Sequence, residues 1–133
     1  MCNTLNTFVN ADNKTVKKRV VHPIPERGFG YRLVGILFDQ SPIMRTPLKF
    51  DSDGWIRWDD RYKGDGFCLF LTEKEAKRAA DAWNRKIYVK LFSRVKLIKV
   101  EYRGGLGIRR EHRFVGGKHF NIALCKEWRY AKE

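Results

Sequence analysis

The sequence predicts the α+β fold class: a mostly antiparallel sheet with a C-terminal three-stranded meander and one main helix, at about 72–85, packed on it. A short apolar run, Phe67–Leu71, leads directly into a capped amphipathic segment, which is typical of a strand followed by a helix. From residue 95 onward apolar side chains recur at even positions, the period of strands that bury one face. The 133 residues fit a single domain, 1–133, in which we expect residues 1–15 to form a loosely ordered leader.

The helix has the clearest local signals in the chain. Thr72 and Glu75 have the spacing of a capping box, so each side chain is expected to accept a hydrogen bond from the other residue's backbone N–H. Four apolar residues then share one helical face: Ala76, Ala79, Ala80 and Trp83. The sequence therefore predicts a scaffold helix that packs this face on the sheet.

Short extended segments and turns precede the helix. Phe29–Phe38 is rich in the β-branched and aromatic residues that strands favour. Asp53-Gly54 is a turn dipeptide, and the short strand predicted after it places Trp55 and Arg57 on one face.

The C-terminal meander is expected to comprise segments 95–102, 108–115 and 119–130. Val95 and Leu97 are out of phase with the even apolar positions that follow, which predicts a bulge near Leu97. With residues 103–107 as a loop, Glu101 lies opposite Arg109, and opposite charges in such a pair stabilise a sheet.

The last hairpin is expected to turn through Gly116-Gly117-Lys118. A loop of this length pairs His112 with Ile122 and keeps the apolar residues of both strands on one face. His112 and His119, which bracket this loop, are more typical of core or edge positions than of a catalytic base.

The net charge of +13 is concentrated in the second half of the chain. Residues 1–65 hold 11 Lys and Arg against 8 Asp and Glu, whereas residues 66–133 hold 17 against 7. A basic half of this kind favours an anionic partner such as nucleic acid, nucleotides or an acidic protein surface. The alternative is a basic protein whose charge serves solubility alone.

Candidate phosphate contacts lie on the polar side and rims of the predicted meander. Trp55, beside Arg57, is the candidate for stacking on nucleobases. The basic residues expected to bind nucleic acid are Arg94, Lys96, Arg103, Arg109, Arg110, Arg113 and Lys118. The competing interpretation is an ordinary solvated face on which charges pair across strands.

Catalytic and metal-binding signals are weak. The three cysteines are far apart in sequence and form no CxxC pair, so we expect neither a metal site nor a disulfide framework, and no cofactor. No nucleophile–base arrangement is evident, so we do not expect an enzyme. Nothing near the N-terminus has the pattern of a signal peptide, and a cytoplasmic location without membrane contact is expected.

The order of several short motifs resembles that of small phage-borne and bacterial accessory domains. The matching segments are 30–34 (GYRLV), 46–48 (TPL), 53–55 (DGW), 66–72 (GFCLFLT) with 75–76 (EA), 100–104 (VEYRG) and 123–127 (ALCKE). The resemblance covers roughly residues 28–130. It implies a phage or mobile-element origin, and such proteins often counter host defences by binding a defence nuclease, its guide RNA or a nucleotide messenger.

Together these features predict a non-enzymatic basic protein that binds nucleic acid or a nucleoprotein complex, as an inhibitor of a host defence system acting in the host cytoplasm. One alternative is a protein-binding inhibitor of the anti-CRISPR kind that occludes a host enzyme without touching nucleic acid. A second is a small enzyme acting on a nucleotide or a protein side chain.

Overall fold

The structure, a computed structural model, describes residues 7–9, 15–18, 22–35, 50–58, 66–85, 94–113 and 119–132. Within these ranges the elements are β1 (Thr7–Val9), β2 (Thr15–Lys18), β3 (Arg27–Gly35), β4 (Ile56–Arg57), β5 (Phe67–Leu69), α1 (Glu73–Asn84), β6 (Val95–Arg113) and β7 (His119–Tyr130). One helix with a mostly antiparallel sheet confirms the predicted α+β class.

The main sheet is antiparallel and curls on itself. Its strand order is β3-β6-β7-β4, and β5 also pairs with β7. An isolated bridge joins β3 to the residue after β5: Tyr31 N donates to Phe70 O at 2.7 Å, and Phe70 N donates to Tyr31 O at 2.8 Å. β3 therefore meets the end of β5 as well as β6, and the sheet curls around its inner face.

The predicted meander is replaced by one long strand. Residues 95–102 and 108–115 were expected to be separate strands joined by a loop at 103–107, but β6 runs unbroken for 19 residues. Gly104 and Gly107 have φ of 68° and 151°, which glycine adopts easily, so they bend the strand instead of reversing it. Residues 95–103 of β6 pair with β3 and residues 100–113 pair with β7, and these long-range partners compete with a local hairpin.

The position of the bulge also differs from the prediction. The register between β3 and β6 is continuous through Leu97, whereas β6 shifts against β7 between Gly105 and Gly107 and again between Arg109 and His112. Leu97 is out of phase because both faces of β6 bury apolar residues: Leu97 packs on the helix side and Val100 on the opposite side.

The pairings expected within the meander change accordingly. Glu101 lies opposite Arg129, not Arg109, and His112 lies opposite Phe120, not Ile122. The proposed turn residues Gly116-Gly117-Lys118 lie outside the described residues.

The helix follows the prediction closely. It begins after Thr72, whose hydroxyl accepts from Glu75 N at 3.3 Å, and its buried face consists of Ala76, Ala79 and Ala80. The reciprocal bond of the capping box is absent, because the Glu75 carboxylate accepts from the backbone N–H of Asn121 at 3.0 Å and from Arg78 at 2.9 Å. Glu75 thus anchors the helix to β7.

Two apolar clusters lie on opposite faces of the sheet. The helix-side core contains Leu33, Cys68, Phe70, Ala76, Ala79, Ala80, Val95, Phe120, Ile122 and Leu124. The inner core, enclosed by the curled sheet, contains Ile56, Phe67, Leu69, Val100, Tyr102, Ile108, Ala123, Cys125 and Trp128. Burial on both faces explains why β5 is a nearly continuous apolar run rather than an alternating one.

The N-terminal residues contain a second, small sheet. β1 and β2 pair antiparallel, with Thr7 opposite Lys18. Thr7–Val9 therefore forms a strand within the segment that we expected to be a loosely ordered leader.

Candidate nucleic-acid interface

The sheet face under the helix continues beyond it as a polar surface. Arg27, Arg103, Glu127 and Arg57 lie opposite one another across four adjacent strands, so their side chains share one face. The next rung places Phe29 opposite Glu101, and Glu101 opposite Arg129. We call this surface the polar face; it comprises Arg27, Phe29, Trp55, Arg57, Lys99, Glu101, Arg103, Glu127 and Arg129.

Three arginines of the polar face are committed to carboxylates. Arg103 pairs with Glu127, whose second oxygen accepts from Arg57 Nε at 2.7 Å. Arg129 donates from Nε and Nη2 to one oxygen of Glu101, at 3.1 and 3.0 Å. For these residues the structure shows the cross-strand pairing that was the competing interpretation of a charged sheet face.

Trp55 lies between two of these guanidinium groups. The Arg103 Cζ is 4.0 Å from the centroid of the indole ring, and the Arg129 Cζ is 4.6 Å from it. Trp55 is 5% exposed, and its backbone N–H donates to Asp53 Oδ1 at 3.1 Å, which fixes the turn before β4. Trp55 and Arg57 lie on the same face, as predicted. The expectation that Trp55 offers an open ring for stacking is wrong, because the ring is buried under the two arginines.

A different aromatic residue is open on the same face. Phe29 is 57% exposed, and Lys99 Nζ lies 5.3 Å from its ring centroid. Among the residues that the structure describes, neither Lys99 nor Arg27 forms an ion pair with a carboxylate. This corner of the polar face therefore combines an exposed ring with cationic groups that no acid neutralises.

A cavity of about 450 Å³ opens beside Lys99, where β6 extends past the end of β7. The last link between these strands there is Ala131 N donating to Lys99 O at 3.2 Å. Tyr130 lines the cavity and stacks on Phe50, with ring centroids 5.3 Å apart and planes 28° apart. The complete lining is Leu97, Ile98, Lys99, Tyr130, Ala131 and Lys132.

The remaining candidate residues are dispersed. Arg94 and Lys96 are exposed at the beginning of β6, near the cavity residue Leu97 in sequence. Arg109 is 3% exposed, so its predicted role as a surface phosphate contact is wrong: the strand carries it into the interior opposite Ile122.

The other three predicted contacts have no described side chain. Arg110 and Arg113 belong to β6 by their backbone, and Lys118 lies outside the described residues. Of the predicted residues whose side chains are described, Arg103 and Trp55 are in direct contact with each other.

Sequence reasoning missed Phe29, Tyr130 and Lys132 as site residues. Strong strand signals around Phe29 and Tyr130 make both rings look like core residues. Only the pairing of β3, β6 and β7 shows that both rings remain partly exposed, and no local pattern records that pairing.

The described residues also bear on whether the chain has a metal site, a membrane-spanning helix or a reactive cysteine. They contain no group of three or more His, Cys, Asp or Glu side chains that could hold a metal ion. Within the same ranges no helix has the length and apolar character needed to cross a membrane. Cys68 and Cys125 are both buried, and burial raises the pKa of the Cys125 thiol to about 12, so this thiol is not an activated nucleophile.

Comparisons of the chain with protein-family models, with curated proteins and with solved structures found no match.

Proposed function

We propose that this protein is a non-enzymatic nucleic-acid-binding protein whose contact surface centres on Lys99 and Phe29. The observation that carries the proposal is the cation of Lys99 held 5.3 Å from the open Phe29 ring, with no acid partner among the described residues. The same pair of groups is what a nucleic-acid strand requires: a cation for phosphate and a flat ring for a base.

Electrostatics favour this corner over the rest of the polar face. Arg103 and Arg129 have carboxylate partners there, so a phosphate would have to compete with Glu127 and Glu101. Lys99 forms no such ion pair among the described residues, and Arg27 lies two rungs away on the same face. The net charge of +13 adds a general attraction for polyanions.

The exposure of Phe29 supports a binding role for the ring. At 57% exposure it leaves apolar area in water that a stacked base would cover. Stacking of a base on an aromatic side chain contributes about 1–3 kcal/mol and tolerates any sequence. The proposal therefore favours binding with little base specificity.

The biological setting follows from the resemblance to phage accessory domains. We propose that the bound nucleic acid belongs to a host defence complex, so that binding inhibits that complex. An inhibitor that binds a host protein alone is the competing outcome, and nuclease treatment separates the two: co-purification with a host protein that survives nuclease digestion supports the competing outcome.

The test is the salt dependence of binding to a fluorescently labelled 15-nucleotide single strand, in RNA and DNA versions. We expect affinity to fall steeply as salt concentration rises. In a plot of log affinity against log salt concentration, Lys99→Ala should reduce the magnitude of the slope by about 0.7, which is the contribution of one phosphate contact on a single strand. Phe29→Ala should weaken binding while leaving the slope unchanged, because the ring carries no charge.

Lys74→Ala is the matched control. Lys74 is an exposed helix lysine that forms no ion pair among the described residues, so this variant makes the same change in net charge away from the site. Absence of binding at low salt, or an equal effect of Lys74→Ala and Lys99→Ala, would contradict the proposal.

A further inference from the structure

The cavity beside Lys99 is continuous with the proposed contact surface. Lys99 faces Phe29 on the polar face, and the same residue lines the cavity. The cavity has a volume of about 450 Å³, within the range of about 300–1,000 Å³ that small-molecule sites occupy.

The walls of the cavity combine two kinds of chemistry. Leu97, Ile98 and the Tyr130 ring provide apolar and aromatic surface, whereas Lys99 and Lys132 provide cations. Among the described residues neither lysine has a carboxylate partner. Apolar walls with cations at the same opening suit a ligand that is flat on one side and anionic on the other, which is the chemistry of a nucleotide.

The orientation of Tyr130 is fixed by its neighbours. Phe50 stacks on it at 5.3 Å, and the Trp128 ring meets it edge to face with centroids 5.7 Å apart. Tyr130 is still 39% exposed, so the fixed ring presents an edge or face to a ligand without having to be ordered on binding.

We infer that this cavity holds one unpaired nucleotide of the bound strand, with its base against Ile98 and Tyr130 and its phosphates at Lys99 and Lys132. This inference rests on the proposed function and adds a substrate class: single strands rather than duplexes. Bases of a duplex are stacked and paired, so one must be extruded at a cost in free energy, whereas a single strand presents its bases freely.

The experiment compares three labelled ligands at one salt concentration: a 15-nucleotide single strand, a hairpin duplex containing the same sequence, and a 15-unit strand of abasic sites. We expect the single strand to bind at least tenfold more tightly than the other two, because only it has bases free to enter the cavity. The cavity-filling variant Ala131→Phe should reduce this preference by at least about threefold, leaving the part that stacking on Phe29 supplies, while duplex affinity stays unchanged.

Two further variants test the preference for single strands even if Ala131→Phe does not fold. Lys132→Ala should weaken binding of the single strand more than binding of the duplex, and Lys74→Ala, the same charge change on the helix, should weaken both equally. Circular dichroism checks that each variant retains the fold.

The outcomes separate the inference from the proposed function. An equal loss on both ligands in Ala131→Phe would overturn the inference and leave the proposed function in place. Equal affinity for single strand and duplex would overturn the inference together with base stacking on Phe29, and would leave binding through phosphates alone. Equal affinity for the abasic strand and the normal strand would also overturn it, since phosphates alone would then suffice. Failure to bind any of the three ligands at low salt would overturn the proposed function and the inference with it.

Discussion

The side-chain amide of Asn84 pairs with the backbone of Val95 as a neighbouring strand would. Asn84 Nδ2 donates to Val95 O at 2.9 Å, and Val95 N donates to Asn84 Oδ1 at 2.9 Å. Asn84 is the last residue of α1 and Val95 the first of β6, so two hydrogen bonds join the end of the helix to the beginning of the longest strand.

We predict that Asn84→Ala destabilises the fold by about 1–3 kcal/mol, because it leaves both backbone groups of Val95 without their partner in a partly buried position. Asn84→Asp should also destabilise the fold, because it keeps an acceptor for Val95 N but places a carboxylate oxygen against Val95 O at the C-terminal end of the helix. Urea denaturation followed by circular dichroism measures both variants.

Asp81→Ala, an exposed change in the same helix, is the control for this experiment and should shift stability by less than about 0.5 kcal/mol. An Asn84→Ala effect no larger than that control would show that solvent replaces the amide at no cost.

The helix was predictable because its signals are local. The Thr72 cap and the alanine face lie within a single segment of the chain, and they fix its start and its buried side without reference to any other element. The partner of Glu75 was not predictable in this way. Its carboxylate accepts a hydrogen bond from β7 instead of closing the capping box, and the sequence near Glu75 does not indicate that partner.

The long strand was not predictable for the opposite reason. Glycines such as Gly104 and Gly107 are typical both of hairpin loops and of bends within a strand, and the choice depends on whether distant strands are present on both sides. Here β3 pairs with β6 up to Arg103 and β7 pairs with it from Val100 to Arg113, so the chain continues as a strand. The same choice turns Arg109 inward and sets Glu101 against Arg129, which moves the candidate site from the second half of β6 to Lys99.

The stacking of Trp55 between arginines leads to a prediction about both stability and binding. Trp55→Leu should destabilise the protein by about 2 kcal/mol, because it removes a buried ring from the turn before β4. It should leave the affinity for single-stranded nucleic acid within about twofold of wild type, since we assign stacking to Phe29. Urea denaturation and fluorescence anisotropy measure the two effects.

A double-mutant cycle with Arg129→Lys isolates the ring–guanidinium contact, because lysine keeps the charge opposite Glu101 but lacks the planar group. We expect a coupling of about 0.5–1 kcal/mol between the two substitutions. A tenfold loss of nucleic-acid affinity in folded Trp55→Leu would instead show that Trp55 belongs to the nucleic-acid contact surface.

Gly30 permits the contact that curls the sheet. A Cβ at this position would lie 2.3 Å from Leu69 Cδ1 and 3.0 Å from the carbonyl oxygen of Phe70. We predict that Gly30→Ala pushes β3 away from β5 and destabilises the fold by about 1–3 kcal/mol. Hydrogen exchange should show faster exchange at the amides of Tyr31 and Phe70, which form the bridge between these strands.

Gly54→Ala is a suitable comparison, since a Cβ there meets nothing within 4 Å and the only strain comes from its φ of +84°. It should lower stability without changing exchange at Tyr31 and Phe70. Slow exchange at those two amides in Gly30→Ala would show that the side chain of Leu69 moves aside and that the bridge tolerates a Cβ.

The buried Cys125 thiol leads to a prediction about alkaline pH. Burial is the main cause that raises its pKa from 9.0 to about 12, so the folded protein holds this proton at pH values where the unfolded chain has released it. The unfolded state therefore binds fewer protons, and stability that is present below about pH 9 is lost as pH rises towards 12. Burial raises the pKa of the Tyr102 hydroxyl as well, which acts in the same direction.

At pH 8 the thiolate fraction of Cys125 should be about 10⁻⁴, from the four units between that pH and its pKa. Iodoacetamide should consequently label this residue at least about 100-fold more slowly in the folded protein than in urea, as read by peptide mass spectrometry, which distinguishes Cys125 from Cys68.

Cys125→Ala should flatten the fall in stability between pH 9 and pH 11 without abolishing it, because Tyr102 remains. Fast labelling of the native protein at pH 8 would mean that the sheet around Cys125 opens readily. A pH profile of stability unchanged by Cys125→Ala would show that this thiol does not cause the fall in stability at alkaline pH.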